Sequence, residues 1–195
     1  MKLTTQLFMS PHLKLDAYDP EKDAAEESGF TVDLNYLWAM NMEEAAHPLT
    51  VYEIKKKREA QLKKVVEGKP AGCFAIRRKE DDRFIGVVAF PWISWTNRNS
   101  DFRVMIGNVE KREEYLVEAV HMALRYAFEE LGSYSVDSFT GEFQPEMMEA
   151  CQQAGMRECV RQREAVYRNG RLWDRVIMAI DLDTWLERND EEVTA

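Results

Sequence analysis

Histidines, cysteines and clustered charges come first, because most acid–base, nucleophilic and metal chemistry runs through such groups. The three histidines, His12, His47 and His121, are too dispersed along the chain to form a metal-ligand cluster. His121 stands beside an apolar helical stripe and reads as a packing or capping residue rather than a base. The three cysteines, Cys73, Cys151 and Cys159, are odd in number and show no C-x-x-C spacing. Neither a disulfide framework nor a zinc site is suggested, and a reducing cytoplasm suits them best. A thiol near its reference pKa of ~8.5 can serve as an acid, although free cysteine on a helix face more often simply packs. No Ser/His/Asp order and no glycine-rich phosphate loop is present. One basic run, Lys55, Lys56, Lys57, Arg58, Lys63 and Lys64, reads as a solvated helix face, with a docking surface for an anionic partner as the alternative.

These groups sit in a chain of 195 residues whose 35 acidic and 26 basic side chains leave a formal charge of −9. That sign repels phosphate backbones and anionic lipid, so nucleic-acid and membrane-surface binding are not expected. The longest apolar stretch, Ile85–Ile93, is interrupted by Gly86 and Pro91 and is far short of a membrane span. The opening MKLTTQLF has no signal-peptide core. The expectation is a cytoplasmic mixed domain over residues 1–195, with its core roughly at 8–187 and an acidic tail at 188–195.

The elements that must position the chemistry follow from periodicity. Alternation at Leu13, Leu15 and Ala17 reads as a strand over His12–Ala17. Asp19-Pro20 looks like a helix start, running through Glu27 and ended by Gly29, and Asp33 caps a second piece through about Met42. Thr50 and Glu53 form a capping box for a helix over 50–67. Two β-rich runs, Cys73–Ile76 and Phe84–Phe90, flank the polar turn 79–83 and read as a hairpin. A third strand, Phe102–Ile106, ends at Gly107. From Val117 the period becomes helical, with Val117, Val120, Leu124, Phe128 and Leu131 on one face and Gly132 as the stop. A strand at Tyr134–Phe139, a helix at Pro145–Ala154 closed by Gly155, and a terminal hairpin complete the chain. The hairpin strands, Glu164–Tyr167 and Trp173–Ile180, are joined by Arg168-Asn169-Gly170-Arg171, where Asn-Gly tolerates positive φ.

The stretch "CFAIRRKEDDRFIGVVAFPWISWTNRNSDFRVMIG" resembles the central meander of GNAT acetyltransferases, in the branch of ribosomal-protein N-terminal acetyltransferases. "LDAYDPEKDA", "EAVHMALRYAFEELG", "QPEMMEACQQAGM" and "RNGRLWDRVIMAIDLDTW" are similar to further family segments, so the resemblance covers roughly residues 8–187. It implies an α+β (mixed α/β) fold in which a central twisted mixed sheet is flanked by helices. It also implies acetyl-CoA as donor. The backbone of the strand carrying Val104, Met105 and Ile106 would pair with the pantetheine arm, and a loop of form R/Q-x-x-G-x-G/A would hold the pyrophosphate.

Against that loop the chain reads Arg112-Glu113-Glu114-Tyr115-Leu116-Val117. Arg112 matches, Tyr115 and Val117 stand at the glycine positions, and Glu113 and Glu114 add negative charge near an anion. The family's N-x-x-a-x-x-x-Y-x-x-x-GF helix, with an Asn on the cofactor and a Tyr that protonates the thiolate, reads here with Gln144 for Asn, Cys151 for Tyr and Met156 for Phe. Gln144 is thus the carried-over cofactor contact and Cys151 the candidate acid. Over the acceptor cleft the resemblance puts Trp38, Trp92 and Trp95 as shaping residues, and Asp33, Glu43 or Glu44 as a carboxylate for a cationic amine.

Two functions follow. One is an acyl-CoA-dependent N-acyltransferase, in which a small-molecule amine or a protein N-terminus attacks the thioester directly. The other is a GNAT-fold module that has lost acetyl-CoA and serves ligand binding or protein interaction. A homodimer is compatible with either, and no metal is implied.

Overall fold

The computed structural model describes residues 6–42, 44–68 and 72–194, with side chains through 188. The elements are β1 (Leu13–Ala17), α1 (Ala24–Phe30), α2 (Leu34–Met40), α3 (Val51–Val66), β2 (Gly72–Arg78), β3 (Phe84–Ser94), β4 (Asn99–Ile106), α4 (Arg112–Glu129), β5 (Ser135–Gly141), α5 (Pro145–Gln153), β6 (Arg157–Arg168), β7 (Arg171–Asp181) and α6 (Leu182–Thr194). The strands form one seven-stranded mixed sheet in the order β1-β2-β3-β4-β5-β7-β6. Only β4 and β5 run parallel, because α4 crosses over between them; every other neighbour pair is antiparallel. This is the mixed sheet flanked by helices that the sequence pattern implies.

Strand alternation sends side chains to two apolar clusters, one on each face. Ile76, Val88, Phe102, Val104 and Ile106 pack with α4 (Leu116, Val120, Leu124) and α5 (Met147, Ala150). Ala75, Val87 and Met105 pack on the other face with Tyr36 of α2 and Ile54 of α3. Gly86 lets β3 and β4 approach: a Cβ there would lie 2.1 Å from the Met105 carbonyl oxygen. The capping box of α3 is present, with Thr50 and Glu53 each serving the other's backbone amide.

Several boundaries differ from expectation. Helix α1 starts at Ala24, not Pro20, because Asp19 accepts from the Glu21 amide (3.0 Å) while the Asp23 carboxylate accepts from the Asp19 amide (2.9 Å), which closes a turn instead. Gly29 lies within its last turn. Most of the expected acidic tail belongs to α6. Arg58 is not part of a solvated basic face: at 3% exposure it turns inward and donates from Nε to both Glu27 oxygens (3.1 and 3.0 Å), and Tyr36 Oη donates to the same carboxylate (3.0 Å).

The closing hairpin turns at Asn169 (φ 49°) and Gly170 (φ 78°), both left-handed, as Asn-Gly requires. Edge strand β6 is exposed from Arg157 to Glu164 on both faces and carries register shifts at Glu158/Val160 and Gln162/Val166.

Candidate active site

Parallel pairing of β4 with β5 lasts only from Asn99–Phe102 against Ser135–Ser138. Beyond that, Val104–Ile106 is paired with β3 alone, while Phe139–Gly141 is paired with β7 alone. The two strands open into a fork whose inner β4 edge presents peptide groups without a strand partner. Helix α2, capped by Asp33 accepting from the Asn35 amide (2.9 Å), lies across the opening. Trp38 of α2 packs edge-on to Phe143 with ring centroids 4.8 Å apart, and Phe143 lines one of the two cavities found at the fork.

The cavity toward the open end, about 250 Å³, brings together Val104, Ile106, Arg112, Leu116 and Gln144 from the cofactor set. Met105 is not with them, because strand alternation turns it to the opposite face. Tyr115 is buried in the main core at 6% exposure. The segment expected as a loop over Arg112–Val117 is the beginning of α4; the turn before it is residues 107–111, with Lys111 left-handed at φ 60°. The α4 amino terminus is therefore there to face an anion. Its surroundings oppose one: Glu113, Glu114 and Val117 line a neighbouring cavity of about 200 Å³ together with Glu146 and Glu149. Arg112 donates from Nη1 to Glu146 (2.5 Å) and from Nε to the Ile106 carbonyl (3.2 Å). The fork's apolar walls and open strand edge fit an extended amide-bearing arm, whereas the carboxylates at α4 weaken the hold on a pyrophosphate.

At the closed end of the fork, on the face of α1–α3, lies a second cavity of about 290 Å³. It is lined by Asp101 and Arg103 of β4, Phe139 of β5, Arg175 of β7, Trp92 of β3, and Asn41 and Met42 beyond α2. Trp92 pairs with Asp101 across a β3 bulge that follows Ala89. Asp101 is 6% exposed, and its Oδ1 has no hydrogen-bond partner among the described residues. Burial pushes its carboxyl up to about 6; the Arg103 charge opposes the shift and the Asp137 charge reinforces it. Arg103 donates from Nη1 to the Met40 carbonyl (2.7 Å), which fixes its guanidinium at the mouth.

The remaining site expectations scatter. Of Trp38, Trp92 and Trp95, only Trp92 lines this second cavity; Trp38 is buried at 7%, and Trp95 is exposed in the β3–β4 turn. Asp33 is occupied as a helix cap, Glu44 is exposed beside another surface cavity, and Glu43 lies outside the described residues. Cys151 is fully buried in the core cluster, and burial pushes its thiol up to about 12. A thiol so enclosed does not meet a leaving group, so the structure corrects its assignment as an acid. Sequence reading missed Asp101, Arg103 and Arg175. The available signal was two charged residues on one face of a central strand, where both faces are covered.

Comparison with known proteins gives a family match and fold neighbours. The family described as Acetyltransferase (GNAT) domain matches residues 22–157. Spermidine N-acetyltransferase from Vibrio cholerae, in complex with CoA and spermine, is 19% identical with a TM-score of 0.75, over 91% of this chain and 99% of that one. A Vibrio cholerae structure provisionally described as a ribosomal-protein-serine acetyltransferase is 14% identical, with a TM-score of 0.69, over 89% of this chain and 96% of that one. At these identities the neighbours show the fold. No curated protein matches the sequence.

Proposed function

The chain belongs to the GNAT acetyltransferase family, and from that premise we propose that it moves an acetyl group from acetyl-CoA to a primary amine at the fork of β4 and β5. The observation that carries this reading is Asp101, a buried carboxylate with an unpartnered oxygen in a cavity at the closed end of the same fork. When bound, acetyl-CoA supplies a thioester carbonyl carbon for the amine nitrogen and a thiolate as leaving group. The open β4 edge at Val104–Ile106 holds the arm, with Leu116 and Gln144 along the groove. The turn before α4, with Lys111 and Arg112, faces the anionic end. Asp101 orients the amine and takes the proton that its nitrogen sheds on forming the amide, while Trp92 and Phe139 keep water from the reacting atoms. A small amine fits this scheme, and so does a protein amino terminus, the acceptor implied by the ribosomal-protein branch.

The alternative of a scaffold without donor binding rests on the departures from the family pattern at Tyr115, Val117, Gln144 and Cys151 and draws no support from the comparisons. One pair of experiments tests the choice. Acetyl-CoA at 100 times its Kd should raise Tm by about 5–10 °C, the equivalent of about 2.7 kcal/mol. Asp101→Asn should lower kcat/KM by roughly 10²–10⁴-fold and erase a rate limb that rises with pH through about 6. No melting shift at millimolar acetyl-CoA would return the chain to the binding-module alternative. An unchanged pH profile in the variant would remove Asp101 as the base.

A further inference from the structure

Asp101 has a second carboxylate beside it. In the parallel pairing of β4 with β5 its direct partner is Asp137. Neighbouring strands lie about 4.7–4.9 Å apart, and paired residues project to the same face. The residues next to them, Phe102 and Val136, belong to the cluster under α4, so Asp101 and Asp137 share the opposite face. Asp101 is buried and Asp137 half-buried, so neither charge is well hydrated. Asn99, two residues before Asp101 on that face, donates from Nδ2 to Asp137 Oδ2 (3.3 Å) and holds it beside β4.

The other groups on this face leave the two acids together. On β4 itself, Arg103 draws Asp101 toward its charged form, and its Nη1 is used on the Met40 carbonyl (2.7 Å). From β7, Ala179 stands opposite Asp137; Arg175 reaches the cavity but is engaged within the protein. Farther along, Asp181 of β7 lies 3.9 Å from Arg157 of β6. Trp92 of β3 and Asn41 and Met42 beyond α2 bring no charge. A negative neighbour makes a carboxylate a stronger base, because the proton it gains relieves the repulsion between the two.

We propose that Asp137 is a positioning residue for the proposed base: Asp101 and Asp137 act as one carboxylate pair, and repulsion from Asp137 drives Asp101 to take a proton from the amine nitrogen. The inference rests on the reading of Asp101 as base for what that proton transfer achieves. The pair itself is tested without any reaction.

The full chain with isotope-labelled aspartate carboxyls is titrated by NMR, and the two signals are assigned by their loss in Asp101→Asn and Asp137→Asn. Asp137→Asn keeps the shape and removes the charge. The Asp101 midpoint should then fall by about 0.5–2 pH units, the effect of one unit charge at ~5–6 Å between water and a protein surface. Interaction between two sites is mutual, so Asp101→Asn should lower the Asp137 midpoint by the same amount. Glu43, Arg103 and Arg175 are identical in parent and variants, so the differences report the pair alone. Asp137→Ser serves as a second variant if Asp137→Asn melts early. An unchanged Asp101 midpoint overturns the proposal, as does a fall without its counterpart at Asp137. The rising limb of kcat/KM against pH is scored separately and should move down with the Asp101 midpoint. A midpoint that moves while the limb stays keeps the pair and sinks the reading of Asp101 as base.

Discussion

Asp101 shows how one side chain can trade stability for chemistry. Its carboxyl holds a proton more tightly in the folded chain, up to about 6, than an ordinary aspartate does. Its share of stability is therefore complete below about pH 4 and lost as pH rises through about 6. Asn at this position keeps the neutral state at every pH, so Asp101→Asn should melt several degrees higher than the parent at pH 8 and converge with it near pH 4. The gain should be at most roughly 2–3 kcal/mol; equal melting points at pH 8 would mean that the carboxylate is satisfied by groups or water the cavity admits. Cys151 is the opposite case. Cys151→Ala should leave kcat and its pH profile unchanged and cost about 1 kcal/mol of stability from lost packing, whereas a large loss of kcat in a folded variant would reinstate the thiol as acid. Sequence reading passed over the first position and misassigned the second for the same reason. Strand and helix periodicity tells which face a residue is on, but whether that face meets a cavity or a packed core depends on elements remote in sequence.

Among the elements, α4 bears most on the proposed donor binding. Its stripe from Val117 to Leu131 was legible as a helix, but the first turn, Arg112 to Tyr115, was not, since Glu113 and Glu114 are polar and break the apolar period. Those acids suit the positive end of the helix and stabilise it. They also compete with any anion that docks there. Glu146 of α5 adds to this by engaging Arg112. Glu146→Gln should free that guanidinium and tighten acetyl-CoA by at least about threefold in a calorimetric titration, since removing one carboxylate near a phosphate is worth about 0.8 kcal/mol or more at ~5 Å. An unchanged affinity would mean that the Glu146 charge is directed to solvent. Elements with strong local signals, such as the Thr50/Glu53 capping box and the Asn169-Gly170 turn, could be read from sequence because a few adjacent residues determine them. The fork could not, because it is defined by where two strands far apart in sequence stop pairing.

Across the whole molecule, the net charge of −9 is a poor guide to the site, which sits among arginines and lysines. Part of the negative charge gathers at the α4 end of the fork, and part is spent inside: Glu27, fully buried, holds Arg58 between α1 and α3. Arg58→Met alone should lose about 3–5 kcal/mol in urea unfolding because it strands that carboxylate, and pairing it with Glu27→Gln should recover most of the loss. Equal stability of the single and double variants would mean that water replaces the guanidinium. The edge of the sheet has a separate consequence. β6 ends the seven-stranded sheet with its outer row of peptide groups open to solvent, a ready template for another strand. Its exposed stretch carries Arg157, Glu158, Arg161, Arg163 and Glu164, and Glu164 sits left-handed at φ 51° within a bulged segment. A flat, neutral strand would need to be desolvated only once to zip onto a neighbour, whereas this one must bury several charges and straighten its backbone. Charge and bulge thus both act against pairing of this edge with a second copy of the chain.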